Sequence, residues 1–141
     1  MPGRPSASRR TVLRGVALAP VAGLGLTACG GSTGKSPAVP AGPVELGPES
    51  EVAKGAAKLY RDHNVVVSRG EDGVLAAYST ICTHALCPAN KLDGTKLICT
   101  CHGSEFDTTT GKVLREPAVA PLTRLAVEVK DGTIVARPEE A

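Results

Sequence analysis

Three observations predict an antiparallel all-β domain in residues 44–141. Short apolar runs alternate with turn residues along this part of the chain, and none sustains the 3.6-residue apolar period of a long helix. Asp72-Gly73 and Asp131-Gly132 each lie between two such runs, which is a strong short-range signal for a β-hairpin. Residues 124–130 alternate in polarity, as in a strand with one buried face. We therefore expect a small sandwich or barrel of about 98 residues.

The apolar runs predict nine strands. They cover residues 44–46, 57–60, 64–69, 74–80, 96–99, 105–107, 112–114, 123–130 and 133–137. Asp93-Gly94 is a third turn dipeptide and precedes the fifth of these runs. Phe106 is expected to point inward from its strand, with Glu105 and Asp107 on the opposite face. Since the chain has two tyrosines, one phenylalanine and no tryptophan, its core must consist mainly of Val, Leu, Ile and Ala.

Residues 1–28 are predicted to be an export signal. Four arginines precede an apolar stretch at residues 15–28. Fourteen residues in a helix span about 21 Å, which is short of the roughly 30 Å hydrocarbon core of a bilayer. Residues 8–13 (SRRTVL) resemble the twin-arginine export consensus, with Val12 where the consensus usually has Phe. Proteins that follow this route are exported already folded, often with a cofactor inserted.

Cys29 is the predicted attachment site of a lipid. Residues 26–29 (LTAC) resemble the lipobox of bacterial lipoproteins, in which the cysteine becomes the lipidated first residue of the mature chain. The alternative is a chance cysteine in an ordinary signal peptide. Residues 29–43 are rich in Gly, Ser and Pro and are expected to form a flexible tether. These features predict a protein at the extracytoplasmic face of a bacterial cell membrane, held there by a lipid anchor.

The charge distribution argues against a nucleic-acid partner. The formal net charge of the whole chain is +2. The predicted signal contains four arginines and no acidic residue, so the remaining chain has twelve basic and fourteen acidic residues and a net charge of about −2. The predicted domain therefore lacks a basic footprint, and its few aromatic residues argue against stacking platforms for single-stranded nucleic acid.

Residues 82–102 (CTHALCPANKLDGTKLICTCH) contain the other four cysteines and two of the three histidines. Cysteine and histidine at this density indicate a metal site, a disulfide, or both. Disulfides alone leave the histidines without a role. A structural zinc site is an alternative, although zinc fingers usually group Cys with Cys and His with His, whereas each arm here contains both. The third histidine, His63, is interpreted as a solvated turn residue.

The two arms resemble the loops of Rieske iron–sulfur proteins, on the patterns Cys82-x-His84-x2-Cys87 and Cys99-x-Cys101-His102-Gly103-Ser104. The resemblance implies one [2Fe–2S] cluster per chain, held by loops at about residues 80–107. By this resemblance, Cys82 and Cys99 bind one iron as thiolates, His84 and His102 bind the other through ring nitrogens, and Cys87 forms a disulfide with Cys101. Fourteen residues separate His84 from Cys99, so the hairpin between the loops should be short.

Two further residues bear on the reduction potential that the resemblance implies, which is roughly −150 to +300 mV for Rieske centres. Ser104 is expected to donate a hydrogen bond to a bridging sulfide, which favours the reduced and more negative cluster. Respiratory members of the family have a Tyr two residues later that donates to a ligand sulfur. This chain has Phe106 there, which cannot donate, so its potential should lie below that of a Tyr-bearing relative.

The resemblance implies one-electron transfer with a redox partner protein, and no independent catalytic site is expected. Ala85, Leu86, Pro88 and residues 117–122 would form an apolar collar for docking. An alternative function is the iron–sulfur subunit of an oxidoreductase, either a bc-type quinol-oxidising membrane complex or an enzyme with an arsenite-oxidase-like small subunit. Quinol-oxidising relatives have a bulkier Leu at the position of Ala85, which argues against the first of these.

Overall fold

The computed structural model describes residues 38–139, which form ten strands and two short 3₁₀ turns. The predicted all-β fold is confirmed, and these residues contain no α-helix. None of their helical segments is long or apolar enough to cross a membrane. The strands are β1 (Val44–Pro48), β2 (Ala56–Tyr60), β3 (Val65–Arg69), β4 (Leu75–Ser79), β5 (Lys91–Asp93), β6 (Lys96–Ile98), β7 (Glu105–Asp107), β8 (Val113–Arg115), β9 (Arg124–Lys130) and β10 (Thr133–Pro138). The 3₁₀ turns are η1 (Glu49–Glu51) and η2 (Arg61–His63).

All nine predicted strands are present, and their ends differ from the prediction by at most two residues. The prediction missed β5, which pairs with β6 across a turn at Gly94 and Thr95. This strand has one apolar residue, Leu92, so it shows no periodicity and depends on its pairing with β6. The hairpin between the two cysteine- and histidine-containing loops is short, as expected. The turn between β9 and β10 places Asp131 and Gly132 at φ values of 49° and 77°, which is the left-handed geometry of a tight hairpin.

The larger sheet has six antiparallel strands in the order β1-β10-β9-β4-β3-β2. One of its faces encloses a first core of buried residues, namely Val52, Tyr60, Val65, Val67, Ala77, Leu125, Ile134 and Ala136. The predicted alternation of β9 holds for Leu125 and Val127 but is wrong for Val129, which is 40% exposed. β4 pairs with β9 only at Leu125 and Arg124, so the far end of β9 has no paired strand on that side, although Val129 pairs with Ile134 of β10.

The smaller sheet has four antiparallel strands in the order β5-β6-β7-β8 and carries the two loops. It contributes to a second core on the opposite face of β3 and β4, namely Val66, Tyr78, Cys82, Ala89, Leu97, Cys99, Phe106, Ala118 and Leu122. β3 is therefore buried on both faces, because Val66 enters this second core while its neighbours enter the first. A buried hydrogen bond of 2.6 Å from the Ser68 hydroxyl to the Thr108 carbonyl joins the two sheets.

The turn after β7 is organised by the Asp107 carboxylate. It accepts hydrogen bonds from the Thr109 N–H at 2.8 Å, the Thr109 hydroxyl at 2.7 Å and the Thr110 hydroxyl at 2.9 Å. Burial raises the pKa of Asp107, but these donors outweigh it and hold the pKa below its ordinary value. The next residue, Gly111, has a φ of 74° and lies against the ring of Tyr78. The turn thus fixes the end of β7 against the larger sheet.

The first described residues, Ala38 and Val39, already contact the β domain. Asn64 Nδ2 donates to the Ala38 carbonyl at 3.1 Å, and Val39 packs against the first core. Residues 38–43, at the end of the predicted tether, form no strand or helix. The predicted export signal and Cys29 lie outside the described residues.

Candidate metal centre

Loop 1, residues 80–90, follows β4 and is closed by its own backbone. The Cys82 N–H donates to the Cys87 carbonyl at 2.8 Å, and the Leu86 N–H donates back to the Cys82 carbonyl at 2.9 Å. A bridge between Ile81 and Pro88 closes the base of the loop. These bonds hold His84 at the turn of the loop, where its side chain is exposed.

Loop 2, residues 99–104, connects β6 to β7 and repeats the same hydrogen-bond pattern. The Cys99 N–H donates to the Ser104 carbonyl at 2.9 Å, and the Gly103 N–H donates to the Cys99 carbonyl at 2.9 Å. Each loop therefore contains a cysteine whose backbone carbonyl accepts a hydrogen bond from the residue four positions later. Both of these later residues, Leu86 and Gly103, have a positive φ.

The thiols of Cys82 and Cys99 lie together in the second core. Cys82 and Cys99 are each 1% exposed, and neither forms a disulfide. Burial and the adjacent Cys82 thiol raise the pKa of the Cys99 thiol, although the N–H groups of Cys101 and His102 point at its sulfur and oppose this. Two adjacent buried sulfurs, one of them beside backbone donors, form a suitable pair of ligands for one thiophilic metal ion.

The two loop histidines also come together, but at the surface. The ring centroids of His84 and His102 lie 4.8 Å apart, and the rings are nearly perpendicular. Both side chains are exposed. The site therefore has a buried sulfur pair and an exposed imidazole pair. His63 lies apart from them, in the exposed η2 turn, as interpreted from the sequence.

A disulfide between Cys87 and Cys101 joins the tips of the two loops, as the resemblance implied. Their Cα atoms are 6.6 Å apart, within the usual range for this bond. The sulfurs of Cys87, Cys99 and Cys101 lie within 4.8 Å of one another, which could suggest a three-cysteine site. Because two of these sulfurs are bonded to each other, they offer no thiolate, and Cys99 remains as the candidate ligand.

Residues 117–122 hydrogen-bond to both loops. The Ala118 N–H donates to the Ser104 hydroxyl oxygen at 3.0 Å, and the Thr83 hydroxyl donates to the Ala120 carbonyl at 2.6 Å. Ser104 is buried, and since its oxygen already accepts a hydrogen bond, its O–H is available to donate. Phe106 is also buried, in the same core as the two thiols, which confirms its predicted inward orientation.

Asn90 is a supporting residue that the sequence did not reveal. Its carbonyl accepts from Arg61 Nη2 at 2.9 Å, and its side-chain oxygen accepts from the Thr100 hydroxyl at 3.1 Å. It thereby links η2 of the larger sheet to both loops. No local pattern marks an asparagine for this role, because its partners lie 29 and 10 residues away.

The segments around the histidines present several exposed apolar side chains. Leu86 is 69% exposed and Val119 is 86% exposed. Ala85, Pro88 and Pro117 are exposed as well, whereas Ala118 and Leu122 of the expected collar are buried in the second core. Loop 1, loop 2 and residues 117–122 contain no Asp, Glu, Lys or Arg.

Comparison with known proteins identifies the family. The sequence model of the Rieske [2Fe-2S] domain matches residues 42–134, which include both loops and nearly all of the strands. The chain belongs to this family. A Rieske protein carries one [2Fe–2S] cluster per domain and transfers electrons, so the structural-zinc alternative is set aside.

Several curated proteins resemble this Rieske chain over part of their length. The cytochrome b6-f complex iron-sulfur subunit of Trichodesmium erythraeum is 41% identical over 91 residues, which cover 62% of this chain and 48% of the relative. Sulredoxin of Sulfurisphaera tokodaii is 42% identical over 73 residues, 50% of this chain and 66% of the relative. A cyanelle cytochrome b6-f iron-sulfur subunit of Cyanophora paradoxa is 44% identical over 73 residues, 48% of this chain and 30% of the relative. The matches thus span less than two thirds of these relatives.

Solved structures agree with the Rieske fold. The plasma membrane Rieske protein PetC3 of Synechocystis PCC 6803 has a TM-score of 0.52 and 32% identity, over 66% of this chain and 97% of that protein. The ferredoxin of carbazole 1,9a-dioxygenase from Nocardioides aromaticivorans IC177 has a TM-score of 0.51 and 25% identity, over 70% of this chain and 100% of that protein.

The residues present fit a [2Fe–2S] cluster. A Rieske cluster needs two thiolates on one iron and two imidazoles on the other. The structure brings two thiols, Cys82 and Cys99, together in its second core and stacks two histidine rings edge to face at the surface. The remaining cysteines of the loops form the disulfide and do not compete for iron.

Proposed function

We propose that this protein is an exported, membrane-tethered carrier of single electrons. The observation that supports the proposal is the unequal burial of the four candidate ligands. The two thiols are buried in the second core, whereas both histidines are exposed, so a partner can approach only from the histidine side. When bound, the cluster supplies reversible one-electron chemistry at roughly −150 to +300 mV.

In this proposal, Cys82 and Cys99 hold the inner iron and His84 and His102 hold the outer one. The N–H groups of Cys101 and His102 donate to the Cys99 sulfur and stabilise its negative charge. The Ser104 hydroxyl, held by the Ala118 N–H, is positioned to donate to a cluster sulfur. The second core excludes water from the thiols, while the exposed imidazoles give the partner its closest approach.

Export and tethering are supported by three features. The twin-arginine-like segment at residues 8–13 and the lipobox-like segment that ends at Cys29 are the first two. The third is the disulfide between Cys87 and Cys101, because such bonds persist mainly in oxidising compartments outside the cytoplasm. A lipid on Cys29 would hold the domain near the extracytoplasmic face of the membrane.

The test of the proposed function combines spectroscopy with fractionation. The purified protein should contain two irons and two sulfides, have a low average EPR g value when reduced, and show a reversible one-electron wave by voltammetry. It should be found in the membrane fraction, and Cys29→Ser should release it in soluble form. A colourless protein with stoichiometric zinc would contradict the proposal. If the same fraction of the Cys29→Ser protein stayed with the membranes, only the proposed tether would be contradicted.

A second candidate function is the iron–sulfur subunit of a larger oxidoreductase. The cytochrome b6-f subunits among its relatives favour this role. Ala85 and Phe106 argue against quinol oxidation, since quinol-oxidising relatives have bulkier or hydrogen-bonding residues at these positions. Native gels of mildly solubilised membranes would separate the two functions. A carrier should migrate as a single small chain, below the 14.4 kDa of the full sequence because its signal is removed, and a subunit should migrate within a large assembly.

Phe106→Tyr is expected to raise the reduction potential. Phe106 is 0% exposed and packs in the same core as Cys82 and Cys99, where an added hydroxyl can donate to a ligand sulfur and favour the reduced state. A hydrogen bond of about 0.5–1.5 kcal/mol corresponds to a rise of about 20–65 mV for one electron. Protein-film voltammetry measures the shift. Phe106→Leu, which adds no donor, is the control, and an equal shift in both variants would refute the mechanism.

A further inference from the structure

Two residues at the tip of loop 2 are held by their side chains. The backbone hydrogen bonds that close this loop run between Cys99 and residues 103–104, and they do not include Thr100 or Cys101. Cys101 is fixed by the disulfide, and the Thr100 hydroxyl donates to the side-chain oxygen of Asn90 at 3.1 Å. Both ends of the Thr100–Cys101 peptide are therefore anchored outside loop 2.

The anchor on the Thr100 side, Asn90, is itself fixed. Its backbone carbonyl accepts from Arg61 Nη2 at 2.9 Å. The preceding residue, Ala89, is buried in the second core, and its N–H donates to the Thr80 carbonyl at 2.8 Å. β5 begins at the following residue. Because an asparagine side chain is short, this fixed backbone leaves its amide oxygen little freedom.

The Thr100–Cys101 peptide carries a donor to a candidate ligand of the cluster. Its N–H, which belongs to Cys101, points at the Cys99 sulfur, as does the next N–H, that of His102. A peptide group is planar and can turn about the line between its two Cα atoms unless the residues on both sides are held. The disulfide holds the Cys101 side and the bond to Asn90 holds the Thr100 side, so together they aim this N–H at the sulfur.

Stability does not account for the bond between Asn90 and Thr100. Both side chains are exposed, and an exposed hydrogen bond contributes little to folding because water competes for the same groups. Loop 2 is already closed by two backbone hydrogen bonds and the disulfide. Neither residue is charged, so the pair cannot act on a cluster as a nearby charge would. What the bond controls is the direction of the N–H that faces Cys99.

We propose that Asn90 and Thr100 are a positioning pair that raises the reduction potential by aiming the N–H groups of loop 2 at the Cys99 sulfur. The inference rests on the proposed electron-transfer function and adds to it two residues that bind no iron. An N–H donor stabilises the negative charge that a cluster gains with an electron, so it favours the reduced state. When the donor is no longer aimed at the sulfur, the oxidised state is favoured and the potential falls.

The experiment compares the holoprotein with Thr100→Val, in which a methyl group replaces the hydroxyl at nearly the same volume. The ratio of oxidised to reduced protein at the original midpoint should rise by about threefold or more, which is a fall of about 28 mV at about 59 mV per tenfold for one electron. Protein-film voltammetry measures this shift. Amide hydrogen–deuterium exchange of residues 99–103 should also be faster in this variant, by about threefold or more.

Three further variants separate the bond from its surroundings. Thr100→Ser keeps the hydroxyl and should keep the original potential and exchange rate. Asn90→Ala removes the acceptor but keeps the carbonyl that is bonded to Arg61, and it should lower the potential as Thr100→Val does. The double variant Asn90→Ala/Thr100→Val should shift the potential no further than either single variant, because residues that act as a unit are not additive.

Thr110→Val is the matched control. It removes the hydrogen bond of another exposed threonine, which donates to Asp107 in the turn after β7. This variant should have the original potential.

Three results would overturn the inference. An unchanged potential in Thr100→Val, with an intact cluster, would remove the role of the pair while leaving the proposed function standing. Equal shifts in Thr100→Val and Thr100→Ser would show that the hydroxyl is not responsible. Additive shifts in the double variant would show that the two residues act separately.

Two further outcomes concern the cluster itself. If Thr100→Val did not take up a cluster, Asn90→Ala, which leaves loop 2 unchanged in sequence, would decide by the same measurement. A protein without any reversible one-electron signal would overturn both the inference and the proposed function.

Discussion

Cys99→Ser is expected to yield a folded protein that has lost its [2Fe–2S] cluster. Cys99 is buried beside Cys82 at the start of loop 2, and its sulfur faces the N–H groups of Cys101 and His102. A serine hydroxyl stays protonated near neutral pH, whereas a thiol readily becomes the thiolate that iron requires. The purified variant should therefore be colourless, without the EPR signal and with iron and sulfide near zero.

The fold should survive this substitution because the structural bonds of loop 2 are made by its backbone and by the disulfide. The Cys99 N–H would still donate to the Ser104 carbonyl, and Cys87 would still be bonded to Cys101. Far-UV circular dichroism and a non-reducing thiol count check these points. Cys29→Ser is the matched control and should keep the full cluster. Normal iron and sulfide content in Cys99→Ser would contradict the ligand assignment.

Gly111→Ala is expected to destabilise the domain by about 2–5 kcal/mol, the sum of a left-handed alanine and an overpacked core. Gly111 has a φ of 74°, and a Cβ built there would lie 2.5 Å from the ring of Tyr78. Tyr78 is buried and cannot retreat, since it packs with Val66 and Phe106 in the second core. Thermal unfolding should show a Tm lower by about 10 °C or more.

Gly94→Ala separates the two causes of this effect. Gly94 has a φ of 59°, but a Cβ there would meet no atom within 4 Å. Its substitution should therefore cost only the backbone strain of about 1–2 kcal/mol. Equal losses of stability in the two variants would show that the contact with Tyr78 contributes nothing.

Local patterns in the sequence were sufficient for most of the fold. Strands such as β4 and β10 have apolar runs between turn residues, and a hairpin at Asp131-Gly132 needs a left-handed conformation that this dipeptide favours. β5 was missed because it has one apolar residue and exists through its pairing with β6. Val129 was wrongly predicted to be buried. Alternation predicts which side of the sheet a residue faces but not how far the partner strands extend.

Some residues of the candidate site could likewise be predicted from the sequence, and others could not. The Cys and His positions were recognisable because metal ligation depends on residue type and short spacing, both of which are local. Asn90 was not recognisable, since it acts through Arg61 and Thr100. The positive φ of Leu86 was equally hidden, because it follows from the hydrogen bonds that close loop 1.

From the sequence alone, the all-β class, the pair of loops and their resemblance to Rieske proteins could be determined, because strand periodicity and ligand spacing are properties of neighbouring residues. The tertiary structure decided which of the candidate ligands are buried. It placed Cys82 and Cys99 between the two sheets and left His84 and His102 at the surface. Burial depends on segments far apart in the chain, since residues 117–122 and β3 complete the core around the thiols. In the proposed function, the side from which an electron enters is therefore a consequence of packing.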